Sequence, residues 1–367
     1  MNKPETFIKQ SVLRYLNSLT RELVNRLIQK STNICPTLCR LFLYLSPGFP
    51  SPTKTFIDTL YTLQFLFVFH RLKSMTKYVP DISSKRWVIV SSQRAARPDT
   101  NGGSSKKKVA CIFCPGNEKL TSEEVYRIGT GEKNEKGWKV RVISNKFPIT
   151  DLHEVVIHSP NDDGDLSDYP QSQVEAILTA YRDRFNFYRK KGQVLIFCNH
   201  GEHAGASIKH PHSQIVVLPP QINLDSLTRE PMNNIVEEDE VFSVYCPDFS
   251  QWPYEVWITP KLESKAFFGD IEDAQIPQLA KIMQKTIKQL HKLYEEGNFH
   301  VAFGYNYYIS PKENWYLRII PRFVHRAGFE LGTGLSVNEI DPLNAALGYK
   351  GVDSKVSDVM SKLKSKM

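Results

Sequence analysis

The apolar positions of this chain fall into two runs that repeat the same order of periods. Segment 153–160, HEVVIHSP, is a β-branched run closing on proline, and segment 254–261, YEVWITPK, has the same shape. Such runs predict strands leaving a sheet. Each is followed by apolar residues three and four apart, the spacing of a half-buried helix. The first helix uses Val174, Ile177, Leu178, Tyr181 and Phe185, and the second uses Leu279, Ile282, Met283, Ile287 and Leu290. Paired strands are then predicted at 194–199 and 300–306, and again at 210–219 and 314–322. Placing Pro219 on Pro321 sets His212 against Asn314, so the last strand carries histidines in the first copy alone. Strand, helix, strand, strand, met twice, predicts an α+β fold: a duplicated unit with two antiparallel-sheet halves, packed helices and one working site.

This pattern divides the chain into a first half over 75–225, a second half over 226–350 and a tail over 351–367. Residues 1–74 differ in character. They hold ten Lys/Arg against three acids, whereas the rest holds 37 basic and 36 acidic residues. Of the overall charge of +8, +7 therefore belongs to this extension, and the remainder, at +1, has no polyanion footprint, which argues against a nucleic-acid partner. The apolar run from Leu60 to Phe69 is about half of the roughly 20 residues a membrane helix needs. With prolines ahead of it and no cleavage pattern after it, no membrane partner is expected. Met75 is expected to be the native start, leaving 1–74 outside the native protein.

Six cysteines are too few for a disulfide scaffold in 367 residues. Cys111 and Cys114 form C-x-x-C, which reads as metal or redox chemistry in a reducing compartment, hence a cytoplasmic location. A disulfide between them is the alternative. Cys35 and Cys39 receive no role.

The chemistry concentrates at 199–214. On a strand, His210, His212 and Gln214 share a face because side chains repeat every second residue. The loop ahead of them, Asn199 to Ser207, contains Gly201 and Gly205. It is small enough for backbone N–H groups to approach phosphate oxygens, with Ser207 adding a hydroxyl. A hydrogen-bonded histidine pair on a half-exposed strand is the bland alternative.

The run N-x-G-x-x-x-G-x-S-x-x-H-P-H-x-Q resembles that of the galactose-1-phosphate uridylyltransferase family, a branch of the histidine-triad superfamily that includes ADP-glucose phosphorylase-like members. Other segments resemble the family in the same order: Arg86 to Pro98, Cys111 to Glu118, Val140 to Pro148 and Ala327 to Gly334. The resemblance covers about 78–345 and implies a duplicated histidine-triad-like unit. It also implies a nucleotidyltransferase working by double displacement, with His212 as nucleophile and Gln214 donating to the phosphoryl oxygens. The implied substrate-binding residues are Arg94, Arg97, Asn145, Asn199, Gly205, Ser207, Gln214, Phe329 and Glu330. Taken alone, Arg94 and Arg97 also read as a solvated surface pair.

The implied cofactor is Zn²⁺, held by Cys111, Cys114, His210 and a residue of the 159–162 stretch. The family pattern S-P-x-H here reads Ser159-Pro160-Asn161-Asp162, so Asp162 is taken as the fourth ligand, with His158 and His153 as alternatives. No second metal site is expected where Arg318 and Ile320 stand. The implied partners are a sugar nucleotide and a sugar 1-phosphate or phosphate, in a homodimer. The leading activity is that of a UDP-glucose–hexose-1-phosphate uridylyltransferase. A phosphorylase of ADP-glucose or of a dinucleoside polyphosphate is the enzymatic alternative, and a nucleotide-binding sensor the non-enzymatic one.

Overall fold

The computed structural model describes residues 76–81, 86–91, 94, 111–224, 227–261, 266–297 and 299–352. The extension, Arg97, the 225/226 boundary and most of the tail lie outside the described residues.

A short hairpin, β1 (Lys77–Asp81) and β2 (Arg86–Val90), precedes the main body. The first half then runs β3 (Glu124–Gly129), β4 (Trp138–Ser144), β5 (Leu152–Ile157), α1 (Gln171–Tyr188), β6 (Gln193–His200) and β7 (His212–Leu218). The second runs β8 (Ile235–Glu238), β9 (Phe242–Tyr245), β10 (Val256–Pro260), α2 (Ile276–Glu296), β11 (Tyr305–Ile309) and β12 (Leu317–Pro321). Two short helices close the chain, α3 (Gly328–Thr333) and α4 (Pro342–Tyr349).

The two halves join edge to edge in a single ten-stranded antiparallel sheet of order β3-β4-β5-β7-β6-β11-β12-β10-β9-β8. Read inward from either edge, the order of elements is the same, so the duplication predicted from periodicity is present in the topology. Both long helices pack on one face. The residues chosen for their spacing are all buried there, with Val156, Ile215, Cys198, Tyr307, Ile319 and Ile258 beneath them.

Two registers differ from the sequence expectation. The strand expected at 300–306 begins at Tyr305, because Phe299 and Phe303 leave the sheet for an aromatic cluster with Tyr294 and Phe323. The aligned segments HEVVI and YEVWI are also not equivalent. His153 is within β5, whereas Tyr254 sits before β10 with φ of +58°. A one-residue slip exchanges the faces of a strand. Glu154 accordingly turns to the helices and pairs with Arg184 at 2.5 Å, while Glu255 turns to the opposite face and pairs with Arg318 at 2.7 Å.

Candidate active site

The face away from the helices carries the predicted chemistry. Beside β7, strand β6 lies in register with Phe197 opposite Gln214, and β11 continues that row with Tyr308. His212 and Gln214 share the open face, as alternation requires, and the intervening Ser213 is fully buried on the other.

His212 Nδ1 lies 2.8 Å from the carbonyl oxygen of His210. A carbonyl only accepts, so the ring proton resides on Nδ1 and the lone pair on Nε2. The ring is set further by Phe113, whose edge meets His212 at 5.4 Å between centroids and His210 at 6.0 Å. Phe113 stands between the two cysteines of the C-x-x-C turn, so that turn and the histidine strand are packed as one piece. Sequence reasoning assigned Phe113 no role.

Gln214 has a partner that fixes its amide. The backbone N–H of Ile149 donates to His153 Nδ1 at 2.9 Å, which leaves the His153 proton on Nε2. That N–H donates to Gln214 Oε1 at 3.0 Å, so the NH₂ of Gln214 points elsewhere as a donor. His153 is thereby a positioning residue.

Cys111, Cys114 and His210 offer ligand atoms that all lie within 4.8 Å of one another. His210 Nδ1 is 3.4 Å from Cys111 Sγ and 3.7 Å from Cys114 Sγ. Its Nε2–H donates to the Ser159 carbonyl at 2.8 Å, which turns the Nδ1 lone pair toward the sulfurs. Such a backbone acceptor is how metal-binding histidines are commonly oriented. Burial, then Cys111 and Asp162, push the Cys114 thiol up to about 12. Burial lowers the His210 pKa, with the Ser159 carbonyl and Asp162 opposing. This donor set fits a soft or borderline cation, which would reverse the thiol crowding. Asp162 stands beside Cys114 but outside the three-residue group. The alternatives point elsewhere: His153 is engaged with Gln214, and His158 Nε2 lies 3.0 Å from Tyr181 Oη in the core.

The loop between β6 and β7 turns on Gly201 and Gly205, both at φ of +86°. A Cβ on Gly201 would lie 2.6 Å from the Phe303 carbonyl oxygen, so the loop packs against the second half only with glycine there. Asn306 Nδ2 donates to Asn199 Oδ1 and to the Ala204 carbonyl, both at 2.8 Å, tying the loop to β11. A cavity of about 430 Å³ opens beside this loop, lined by His158, Asp162, Asp165, His200, Ser207 and the His212 region.

The remaining candidates divide. Asn145 Oδ1 accepts from Phe147 N and its backbone N–H donates to the His153 carbonyl at 2.8 Å, so it shapes the turn that holds His153. Arg94 reaches that turn, with Nη1 at 3.5 Å from the Phe147 carbonyl. Phe329 is exposed and Glu330 caps the Ala327 N–H at 3.0 Å on α3, and neither lines the cavity of its own chain. Arg318 forms a buried pair with Glu255. Among the described residues no helix is long and apolar enough to cross a membrane, and the Leu60–Phe69 run lies outside them.

Known proteins resemble this chain in sequence and in fold. Residues 103–220 match a family described as the N-terminal domain of a domain of unknown function, DUF4931. ADP-glucose phosphorylase of Arabidopsis thaliana is 29% identical, over 72% of this chain and 90% of its own. A galactose-1-phosphate uridylyltransferase of Thermotoga maritima is 25% identical over 71% and 93%. The crystal structure of an ADP-glucose phosphorylase from Arabidopsis thaliana with bound ADP-glucose superposes with a TM-score of 0.57 and 25% identity, covering 76% of this chain and 99% of that one. These homologues are enzymes of nucleotidyl transfer. By sequence and by fold, the chain is a homologue of ADP-glucose phosphorylase and of the galactose-1-phosphate uridylyltransferases.

Proposed function

We propose that this protein transfers the nucleotidyl group of a sugar nucleotide through a covalent intermediate on His212. The observation that carries the reading is the tautomer of His212: with Nδ1–H held by the His210 carbonyl, Nε2 presents its lone pair on the open face of β7. Attack of Nε2 on the α-phosphorus forms a P–N bond and breaks the bond to the sugar 1-phosphate, which leaves. A phosphate oxygen of the acceptor then attacks the same phosphorus and restores the imidazole. The donor NH₂ of Gln214, held by His153, meets the charge that develops on the phosphoryl oxygens. Asn199, Gly205 and Ser207 cradle the phosphates, and Arg94 approaches from the 145–148 turn.

The finer assignment departs from the expectation that led the sequence reading. Greater similarity to ADP-glucose phosphorylase supports ADP-glucose as donor and inorganic phosphate as acceptor. A UDP-glucose–hexose-1-phosphate exchange is the second reading, supported by the uridylyltransferase relative.

Zinc fits Cys111, Cys114 and His210, with Asp162 as fourth ligand; its contribution is to brace the turn that carries Phe113. The exposed Phe329, Leu331, Leu335 and Val337 on the C-terminal segment support a homodimer in which that segment reaches a partner's site.

The test is covalent trapping. Protein incubated with α-³²P-labelled ADP-glucose or UDP-glucose, without acceptor, should retain acid-labile, base-stable label that His212→Ala abolishes. Preferential labelling by ADP-glucose supports the phosphorylase. Absence of label from both, with dinucleoside polyphosphates also failing, would leave a nucleotide-binding sensor as the better reading.

A further inference from the structure

Three arginines follow one another on and after β12, and their surroundings differ. Arg318 is neutralised: its Nε and Nη2 donate to the two Glu255 oxygens at 2.7 and 2.8 Å. Arg322 and Arg326 enter no ion pair among the described residues. Their guanidiniums each lie 4.6 Å from the ring of Trp252, so two cations share one aromatic support. Arg322 Nη1 makes a 3.4 Å contact with Asn306 Oδ1, and its Nε is buried without a hydrogen-bond partner. Arg326 Nη2 donates to Gln251 Oε1 and Ser336 Oγ, both at 3.0 Å, neutral acceptors in each case. The nearby Glu330 carboxylate accepts from the Ala327 N–H and offsets part of the Arg326 charge without forming an ion pair, so Arg322 is the cation left without an opposite charge. Burial and the charge of Arg326 both lower the Arg322 pKa, the mark of a cation without compensation.

The pair is linked to the loop of the candidate site through Asn306, although neither arginine lines the cavity itself. Asn306, which meets Arg322, bonds Asn199 and the Ala204 carbonyl of the phosphate loop. With neighbouring strands roughly 4.8 Å apart, β11 lies about 10 Å from β7 across the same sheet. His325, between the two arginines in sequence, packs against His203 of that loop at 5.6 Å. A half-buried guanidinium with an unpartnered Nε, set beside a second cation, suits a phosphate dianion, which accepts from both forks at once.

We propose that Arg322 and Arg326, supported by Trp252, form a binding site for the phosphate group of the acceptor substrate, contributed by the second half to the chemistry of the first. This rests on the double-displacement reading above. A bound phosphate would satisfy the buried Nε of Arg322 and relieve the repulsion between the two cations.

The test titrates the full-length protein with inorganic phosphate and, separately, with glucose 1-phosphate by calorimetry. The comparisons are an Arg322→Gln/Arg326→Gln double variant and Arg326→Gln alone, whose side chain is exposed and whose folding is not in question. Binding by the wild type that weakens at least about tenfold in Arg326→Gln, and further in the double variant, supports the site. Binding of inorganic phosphate identifies the free anion as the ligand, whereas binding of glucose 1-phosphate alone identifies the sugar phosphate. No binding of either by the wild type, or equal binding by the double variant, overturns the proposal. Labelling of wild-type His212 needs no acceptor, so failure of the double-displacement reading would show there separately.

Discussion

The two halves share a chain path and differ in what they place on the open face of the sheet. Reading outward from the seam along one row, the first half presents Phe197, Gln214 and Val155, and the second presents Tyr308, Arg318 and Trp257. In the first half the polar groups stay accessible beside a cavity. In the second the face is filled: Trp257 stacks on Tyr316 at 4.1 Å, Glu255 neutralises Arg318, and Leu227, Met232 and Phe249 pack over them. The asymmetry is thus carried by the side chains, on strands that occupy matching places in the sheet. In one copy half-buried polar groups border the open face, and in the other they are paired or covered.

The sharpest way to break this comparison is to remove the group that one half alone possesses. His212→Ala should lower kcat by at least about 10⁴-fold, as loss of a covalent nucleophile does, whereas Tyr316→Phe should change it less than about twofold. Steady-state kinetics with the labelled donor reads both. Loss of activity in Tyr316→Phe as severe as in His212→Ala would show that the second face is not a structural plug.

The next effect is on stability. Glu255→Gln leaves the Arg318 guanidinium buried without its counter-charge and should cost about 3–5 kcal/mol in denaturant unfolding. A loss under about 1 kcal/mol would place that pair with ordinary surface ion pairs.

His153→Leu should lower kcat about 10- to 100-fold with a smaller change in KM, short of the 10²–10³ that deleting a donor outright costs. His153→Gln, whose amide can donate to Gln214 Oε1, should recover part of the loss. If His153→Leu and Gln214→Ala combine additively, the positioning role fails.

The smallest effect concerns acid. Glu124 is buried, which raises its pKa, but hydrogen bonds from Arg127 and Arg141 outweigh this and hold it below the usual glutamate value. A depressed folded pKa stabilises above the unfolded value and is lost as pH falls through the folded one. Wild-type stability should therefore decline below about pH 4.3, and Glu124→Gln should be less stable at neutrality with a shallower decline. Parallel acid curves for the two proteins would contradict the assignment.

The sequence disclosed the duplication, both long helices and the histidine strand because each rests on periodicity, which is local. It did not disclose that the two sheets are continuous, because strand neighbours are a tertiary fact. The slip between Glu154 and Glu255 escaped for the same reason: two similar strings hide a left-handed residue at Tyr254. Within the site, His210, His212 and Gln214 were readable from alternation and motif. His153 and Phe113 were not given their roles, since both act through contacts from distant segments. Asp162 stands beside Cys114 without joining the Cys111, Cys114 and His210 group, and Phe329 and Glu330 do not line the cavity of their own chain.

The seam between β6 and β11 bears on how such a protein is assembled. Each of these strands closes what would otherwise be a bare backbone edge of its neighbour, through the register Tyr305↔His200 to Ile309↔Ile196. A half separated from its twin would expose that ladder, and an unpaired ladder recruits whatever strand it meets. A first half produced alone is thus expected to pair β6 with β6 of another copy, as a symmetric dimer built on the same seam. Carrying both halves in one chain keeps that pairing intramolecular, so the seam forms without depending on protein concentration.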